Sequence, residues 1–286
     1  MTFTGGQLDP HLFFSHGGRA DFKGEDATWY NMLSAKNASL NVFFQHADFH
    51  KQKRGPGLFQ LVHGSAMTKL AATLRSSVTG KLVTVEFNAT TEAHKARVTL
   101  SSQAEPVVLS HSHGSYTVDN IQLNMREKKM GGLGHGMALS INTGRWEVTA
   151  WSKPFPNWRA NPGKALLNVQ VAALYAADED PVAPHGLIGQ SYDGDNVRVD
   201  GAQDDYTANP AEMTTSAMAE GAIEGVAADY KMTGKLSTEF KYGRFDAIKA
   251  QARDVSKLTG KKSTVAHKTN IAGAQPDVAD AEVEAA

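Results

Sequence analysis

The chain contains no cysteine among its 286 residues. This absence excludes disulfide bonds, thiol nucleophiles and zinc sites ligated by cysteine. It does not fix the cellular compartment, because a chain of this length can bury a large enough core to fold without covalent links.

The sequence also lacks a charge imbalance and a long hydrophobic run. Its 29 basic and 30 acidic residues are mixed along the chain, so no field of one sign favours nucleic acid or an anionic membrane as a partner. No apolar segment is long enough to span a bilayer. The opening MTFTGGQLDPHLFF has neither the basic start nor the continuous apolar centre of a signal peptide. These features predict a globular protein without membrane insertion.

The dominant sequence period is two residues, which is typical of β-strands. Six segments alternate apolar with polar residues or are apolar throughout, and they are rich in β-branched or aromatic side chains: residues 40–46, 82–87, 96–102, 137–142, 145–151 and 166–175. Turn signals separate these segments at intervals suited to a sandwich. The sequence therefore predicts a mainly β fold, an antiparallel β-sandwich.

One pair of these segments has the pattern of a hairpin joined through Thr143 and Gly144. Each of its strands has one apolar face, formed by Met137, Leu139 and Ile141 in the first strand and by Trp146, Val148 and Ala150 in the second. These faces are predicted to point into the core.

The pattern changes near residue 244. Phe245, Ile248, Ala252 and Val255 recur at three- and four-residue spacing, which predicts an amphipathic helix. After Gly260 the chain is rich in Ala, Lys and Glu with little to bury, which predicts a disordered tail. The expected organisation is a β-sandwich domain over residues 1–243, followed by a helix and a low-complexity tail over residues 244–286.

Residues 184–195, PHGLIGQSYDGD, combine glycines and aspartates in one short segment. They do not form a phosphate-binding loop, because no Lys followed by Ser or Thr comes after the last glycine. GQSYD resembles the turn around a serine nucleophile, but Asp193 stands where that turn has a glycine, and no helix is predicted after Ser191. A serine hydrolase that uses Ser191 with a histidine is therefore the alternative from another functional class.

Carboxylates are frequent at the end of this segment and just beyond it. Calcium is a hard cation that binds six to eight oxygens, and five aspartates offer such oxygens: Asp193, Asp195, Asp200, Asp204 and Asp205. The spacing is not that of an EF-hand, because Val197 and Arg198 occupy positions that the motif reserves for a ligand and a glycine. A solvated acidic loop is the competing interpretation.

Three motifs in a fixed order give the chain a family resemblance. GGQLDPHLFF at 5–14 resembles the GDPH opening of von Willebrand factor type D domains, and HGLIGQSYDGD at 185–195 resembles the glycine-rich segment near their end. With AIEGVAADYKM at 222–232, the order is most similar to the C-terminal domain of inter-alpha-trypsin inhibitor heavy chains. Leu8 replaces the glycine before DPH, and the cysteines typical of type D domains are absent.

The resemblance implies a non-enzymatic structural or binding module of extracellular matrix or secreted proteins, with a matrix protein or a glycan as its partner. It also implies that calcium is held by Asp9, Asp193 and Asp195, with Asp200, Asp204 and Asp205 as further ligands. Finally, it implies that the bond between Asp9 and Pro10 can be cleaved, since the aspartyl carboxyl can attack its own carbonyl while the prolyl nitrogen leaves.

Some candidates stand outside this resemblance. Asn37 and Asn88 begin N-glycosylation sequons, which accept glycans in a secreted chain. His111 and His113 are spaced to share one side of a strand as a zinc pair, but no third ligand is near. A carbohydrate-binding sandwich is a further alternative if aromatic rings are exposed for sugar stacking rather than packed in the core: Trp146, Trp151, Phe155 and Trp158.

Overall fold

The protein is represented by a computed structural model, which describes residues 3–7, 10–52, 59–89, 96–100, 103, 105–110, 112–129, 135–154, 165–175, 182–195, 197–207 and 211–247. Within these residues the chain is mainly β, and two antiparallel sheets pack as a sandwich. This confirms the predicted fold class. No helix of the described part is long and apolar enough to cross a membrane.

The first sheet contains eight strands. They are β1 (Phe3–Gln7), β2 (His11–Phe13), β3 (Arg19–Asp21), β10 (Ser115–Val118), β11 (Ile121–Lys129), β12 (His135–Asn142), β13 (Trp146–Pro154) and β14 (Ala165–Ala173). Their order across the sheet is β10-β11-β12-β13-β14-β1-β2-β3. The N-terminal strands thus complete the sheet beside β14, because β1 pairs with β14 in antiparallel fashion.

The second sheet contains seven strands. Six follow the order β4 (Thr28–Ala35), β5 (Ala38–Gln52), β6 (Phe59–Arg75), β7 (Leu82–Asn88), β8 (Ala96–Leu100) and β9 (Val107–Leu109). The seventh, β15 (Glu212–Thr214), pairs in parallel with β6. Three short 3₁₀ turns complete the regular structure of the described residues, at Ser15–Gly17, Gly189–Ser191 and Ala227–Tyr230.

All six segments predicted as strands lie in strands: β5, β7, β8, β12, β13 and β14. The predicted hairpin is the pair β12 and β13, whose turn is closed by the N–H of Thr143 donating to the carbonyl of Trp146 at 2.9 Å. The six apolar residues assigned to its two faces are all buried. The alternation in this part of the sequence therefore identified the core-facing side correctly.

The hydrophobic core lies between the two sheets. Alternate residues of each strand enter it, as in β7, where Val83, Val85 and Phe87 are buried and the residues between them are not. Trp146 of β13 is 1% exposed and contacts the ring of Tyr192 at 5.2 Å between centroids. Burial of each such side chain contributes roughly 1.5–3 kcal/mol, so this shared core is the main source of the sandwich's stability.

The chain after β15 covers the outer side of the second sheet. The Asn41 side-chain amide on β5 donates to the carbonyls of Lys235 and Ser237 at 2.9 and 2.8 Å, and the Thr73 hydroxyl on β6 donates to that of Leu236. Phe245 is buried beneath the guanidinium of Arg75. Most of the helix predicted from Phe245 onward, and the tail after it, lie outside the described residues.

Candidate functional site

The second and third motifs both add to the free edge of the second sheet along β4. Ser34 and His185 exchange two backbone hydrogen bonds of 2.6 and 2.7 Å, and the N–H groups of Leu187 and Ile188 donate to β4 carbonyls. At the other end of β4, the N–H of Met232 donates to the carbonyl of Trp29 at 2.9 Å. β4 thus aligns two segments that lie far apart in the sequence.

We call residues 185–192, residues 224–230 and Tyr242 the motif junction. A glycine is required at its start, because Gly186 has a φ of +107°. A Cβ at this position would lie 2.6 Å from the Asn31 side-chain oxygen and 2.6 Å from the Met32 carbonyl oxygen. The first glycine of HGLIGQ therefore allows the close approach of this segment to β4.

Gln190 connects the two motifs at the centre of the junction. Its amide nitrogen lies within 3.3 Å of three acceptors, the carbonyls of Gly186 and Leu187 and the hydroxyl of Tyr230, and its amide oxygen accepts the N–H of Glu224 at 2.9 Å. The Tyr230 hydroxyl in turn donates to the carbonyl of Glu224 at 2.8 Å. Since Gln190 is 3% exposed, these protein groups replace water as its partners.

His185 is enclosed by the same motifs, with a side chain that is 2% exposed. Its Nδ1 accepts the N–H of Gly186 at 2.9 Å, and its Nε2 lies 3.2 Å from a carboxylate oxygen of Glu224. A neutral imidazole protonated on Nε2 satisfies both partners. Its ring stacks on Tyr242 at 4.3 Å and faces Tyr230 at 5.8 Å. Both ring nitrogens are therefore bound within the protein.

Burial of Tyr230 raises the pKa of its phenol far above the ordinary value. The phenol therefore stays protonated at physiological pH and remains a donor to the Glu224 carbonyl. The motif junction consequently holds its polar groups in fixed donor and acceptor roles.

Ser191 closes the 3₁₀ turn that ends the glycine-rich motif. Its hydroxyl donates to the carbonyl of Ile188 at 2.7 Å and accepts the N–H of Ser15 at 3.0 Å. The Ser15 hydroxyl donates to the Ser191 carbonyl. Among the described residues, no histidine is hydrogen-bonded to Ser191 and no helix follows the turn. The arrangement for nucleophilic activation is thus missing here, and the serine ties the turn to the segment after β2.

Tyr192 makes a second link to the N-terminal strands. Its hydroxyl donates to the carbonyl of Val171 at 2.7 Å and lies 3.1 Å from the hydroxyl of Thr4 on β1. Burial raises the pKa of Tyr192 to about 12, although the hydrogen bond with Thr4 lowers this pKa to a smaller extent. This link holds β1 and β14 to the end of the glycine-rich motif.

Asp21, a residue that the sequence analysis did not select, connects the DPH motif with the acidic segment. The Nδ1 of His11 is 2.6 Å from an oxygen of Asp21, and the other oxygen of Asp21 accepts the N–H of Asp204 at 2.9 Å. Burial raises the pKa of Asp21, but the hydrogen bond and charge of His11, the Asp204 N–H and Arg19 outweigh it, and the net pKa is lowered. Leu8 and Asp9 lie outside the described residues, whereas Pro10 is buried.

The carboxylates of the five aspartates proposed as calcium ligands accept hydrogen bonds from backbone N–H groups and side chains of the protein. Asp204 accepts the N–H groups of Ser216 and Ala217, and Asp200 pairs with Arg198 and accepts the N–H of Arg19. The remaining three accept hydrogen bonds within their own turns: Asp193 from Asp195, Asp195 from Val197, and Asp205 from Thr207.

No group of three His, Asp or Glu side chains suited to a metal ion occurs in the described part of the chain. The calcium site implied by the resemblance therefore stays a prediction. Asp9, the ligand implied by the DPH motif, is not among the residues that can be placed.

The remaining candidate residues are dispersed over the molecule. Asn37 lies in the turn between β4 and β5 with a φ of +64°, and Asn88 ends β7. His113 precedes β10, and His111 is outside the described residues. Trp146 belongs to the core, and Trp151 lies beneath the ammonium of Lys128, 3.5 Å from its ring centroid. Of the predicted aromatic surface, Trp146 is therefore excluded, and Phe155 and Trp158 fall outside the described part.

Comparison with known proteins adds no relative to this description. No protein-family model matches the chain, and no curated protein matches it. The contacts of the motif junction therefore carry the functional interpretation.

The sequence analysis did not recognise Gln190, Glu224 and Tyr230 as a connected set. A weak signal is present, because Gln190 is a polar residue inside an otherwise apolar and glycine-rich motif. Its partners, however, lie 34 and 40 positions away. No local pattern connects residues at such separations.

Proposed function

We propose that the chain is a non-enzymatic structural or binding module resembling von Willebrand type D domains. In this proposal the three motifs fasten the long C-terminal part of the chain to the β-sandwich. The observation that supports it most strongly is the bonding of the Gln190 amide to Gly186, Leu187, Glu224 and Tyr230. These groups bind one another, as expected of an architectural site.

A serine-reactive phosphonate probe tests this proposal against the hydrolase alternative. We expect no covalent addition to Ser191 by intact-mass analysis, because its hydroxyl is held by Ile188 and Ser15. A Ser191→Ala variant serves as the control for labelling at other serines. Addition that occurs in the wild type and disappears in this variant would overturn the proposal.

The proposed partner is a protein or glycan of the extracellular matrix, as the family resemblance implies. For a glycan partner, we propose one surface feature as the place of contact. A shallow depression on the outer face of the first sheet is lined by polar side chains from three strands: Asn124, Arg126, Ser140 and Glu147. Amide, guanidinium and carboxylate groups of this kind can bind sugar hydroxyls. A glycan array with the wild type and Arg126→Ala tests this second candidate, and equal signals from both proteins would remove the depression from consideration.

The proposal includes calcium only as an ion bound at a site to which Asp9 contributes a ligand. The other aspartates would have to exchange the hydrogen bonds described above for metal coordination. Cleavage of the Asp9–Pro10 bond is likewise a proposal from the resemblance. Intact-mass analysis after mild acid incubation tests it, and persistence of the full-length species would count against cleavage.

A further inference from the structure

His63 on β6 lies between two carboxylates from different strands. Its Nδ1 is 2.8 Å from an oxygen of Asp48 on β5, and its Nε2 is 2.7 Å from an oxygen of Glu212 on β15. Ionised carboxylates only accept hydrogen bonds, so each ring nitrogen must carry a proton to bind its partner. Only the imidazolium form has both protons. The geometry is therefore that of a charged histidine bridging two strands.

β15 is a short element of three residues. It pairs with β6 over three residues, from Glu212 opposite Leu61 to Thr214 opposite His63. Two flanking backbone hydrogen bonds support this pairing, from Leu61 to the Ala211 carbonyl at 2.9 Å and from Thr215 to the His63 carbonyl at 3.1 Å. Elements held by few contacts open at a lower free-energy cost than the core. The ion pair between Glu212 and His63 adds to these hydrogen bonds and to the packing of Met213 against the apolar cluster that contains Val62.

We propose that His63 is a proton-operated latch, which holds β15 against β6 when the imidazole is charged and loosens β15 when it is neutral. A neutral imidazole carries one N–H, so it can donate to Asp48 or to Glu212 but not to both. Loss of the second proton therefore removes either the attachment of Glu212 or the bridge to β5.

The groups around His63 set the direction of this switch. The hydrogen bonds that His63 donates to Asp48 and to Glu212, together with the charges of these carboxylates, raise the pKa of His63, and partial desolvation lowers it to a smaller extent. The ammonium of Lys23 is directed at the backbone of His63, where it lies 3.4 Å from the carbonyl oxygen. Because the folded pKa is raised, the stabilisation is complete below the ordinary value of about 6.5 and is lost as the pH rises through the folded value. The latch is closed in mild acid and opens at higher pH.

Opening would uncover a strand edge. β7 pairs with β6 only from Lys69 to Arg75, whereas β15 occupies the same side of β6 at Leu61–His63. Without β15, the N–H of Leu61 and the carbonyl of His63 lose their backbone partners. An unpaired edge of this kind can accept another strand. The latch would therefore control access to this part of the sheet.

The test is an NMR titration of the full chain between about pH 5.5 and about pH 8.5, the range in which histidines change charge. The side-chain signals of His63 report its protonation, and amide exchange at Leu61 and Thr215, corrected for the intrinsic effect of pH, reports the docking of β15. We expect protection at both amides to fall as His63 loses its proton. The pKa of His63 differs between the docked and undocked states of β15. Each pKa unit of this difference corresponds to a tenfold change in the equilibrium constant for docking.

Three variants decide the outcome. His63→Gln should remove the pH dependence of protection at both amides. Glu212→Gln should lower the pKa of His63 and weaken docking in acid, which keeps the test valid if His63→Gln does not fold. His50→Gln is the matched control, because His50 lies on the same hairpin and has no ion pair within the described part of the chain. Constant protection in the wild type, or an unchanged profile in either latch variant, would overturn the proposal.

Discussion

The hydroxyl of Tyr230 lies 3.0 Å from the amide nitrogen of Gln190, although the two residues belong to different motifs and are 40 positions apart in the sequence. The Tyr230 hydroxyl also donates to the Glu224 carbonyl, so one phenol connects a side chain and a backbone group. Both residues are buried. The junction therefore stabilises the fold by joining two loops that have little regular secondary structure of their own.

Replacement of Gly186 should be far more destabilising than replacement of a glycine in an open turn. Gly186→Ala places a Cβ 2.6 Å from two oxygen atoms, and the alanine must also adopt the positive φ of this position. Gly80 also has a positive φ, +74°, but a Cβ there would meet no atom within 4 Å. We expect Gly186→Ala to cost at least ~2 kcal/mol more than Gly80→Ala. Urea unfolding of both variants measures this difference, and equal midpoints would contradict the close approach to β4.

The aspartates should differ in their contributions to stability, independently of calcium. Asp204→Ala should cost roughly 1–3 kcal/mol, because it removes the acceptor for the N–H groups of Ser216 and Ala217. Asp193→Ala should have a smaller effect, since the hydrogen bond from the Asp195 N–H to its carboxylate is a long contact of 3.3 Å within its own turn. Thermal melts in chelator and in millimolar calcium measure both effects. A calcium-induced rise in melting temperature that Asp193→Ala abolishes would show that these aspartates do bind calcium.

Tyr192 should make the protein sensitive to alkali. Its pKa is raised to about 12, so its contribution to stability is complete below the ordinary value of 10.0 and is lost as the pH rises toward 12. Tyr192→Phe cannot ionise and should have a flatter stability profile in this interval. Chemical denaturation at a series of alkaline pH values tests this expectation. Parallel profiles for the wild type and the variant would assign the alkaline sensitivity to other groups.

Several of the strands that could be predicted from sequence alternate apolar with more polar residues, as in β7 and β13. β4 and β6 were not predicted because both of their faces are covered over much of their length, and the period of two is lost. In β6, for example, Ala66, Met67, Leu70, Ala71 and Ala72 are all buried. Coverage of this kind depends on the C-terminal segment, which no local window of sequence contains.

The candidate site was predictable as a set of motifs but not as a set of contacts. The resemblance implied a link between the first and second motifs through shared calcium ligands, whereas the described residues show a hydrogen bond between Ser15 and Ser191. The residues chosen as ligands were aspartates, whereas the centre of the junction is built from Gln190, His185, Glu224 and Tyr230. Their roles depend on burial, which follows from the tertiary fold. The pair of His63 and Glu212, 149 positions apart, was inaccessible for the same reason.

The most direct test of the proposed fastening role is a double-mutant cycle of Gln190→Ala and Tyr230→Phe, measured by urea unfolding. Each single change leaves buried partners unsatisfied and should destabilise the protein by roughly 1–3 kcal/mol. Because the two groups share a hydrogen bond, the double variant should lose less than the sum, with a coupling energy of about 0.5–3 kcal/mol. Exactly additive losses, or single variants as stable as the wild type, would contradict the role of the motif junction in joining the C-terminal part of the chain to the sandwich.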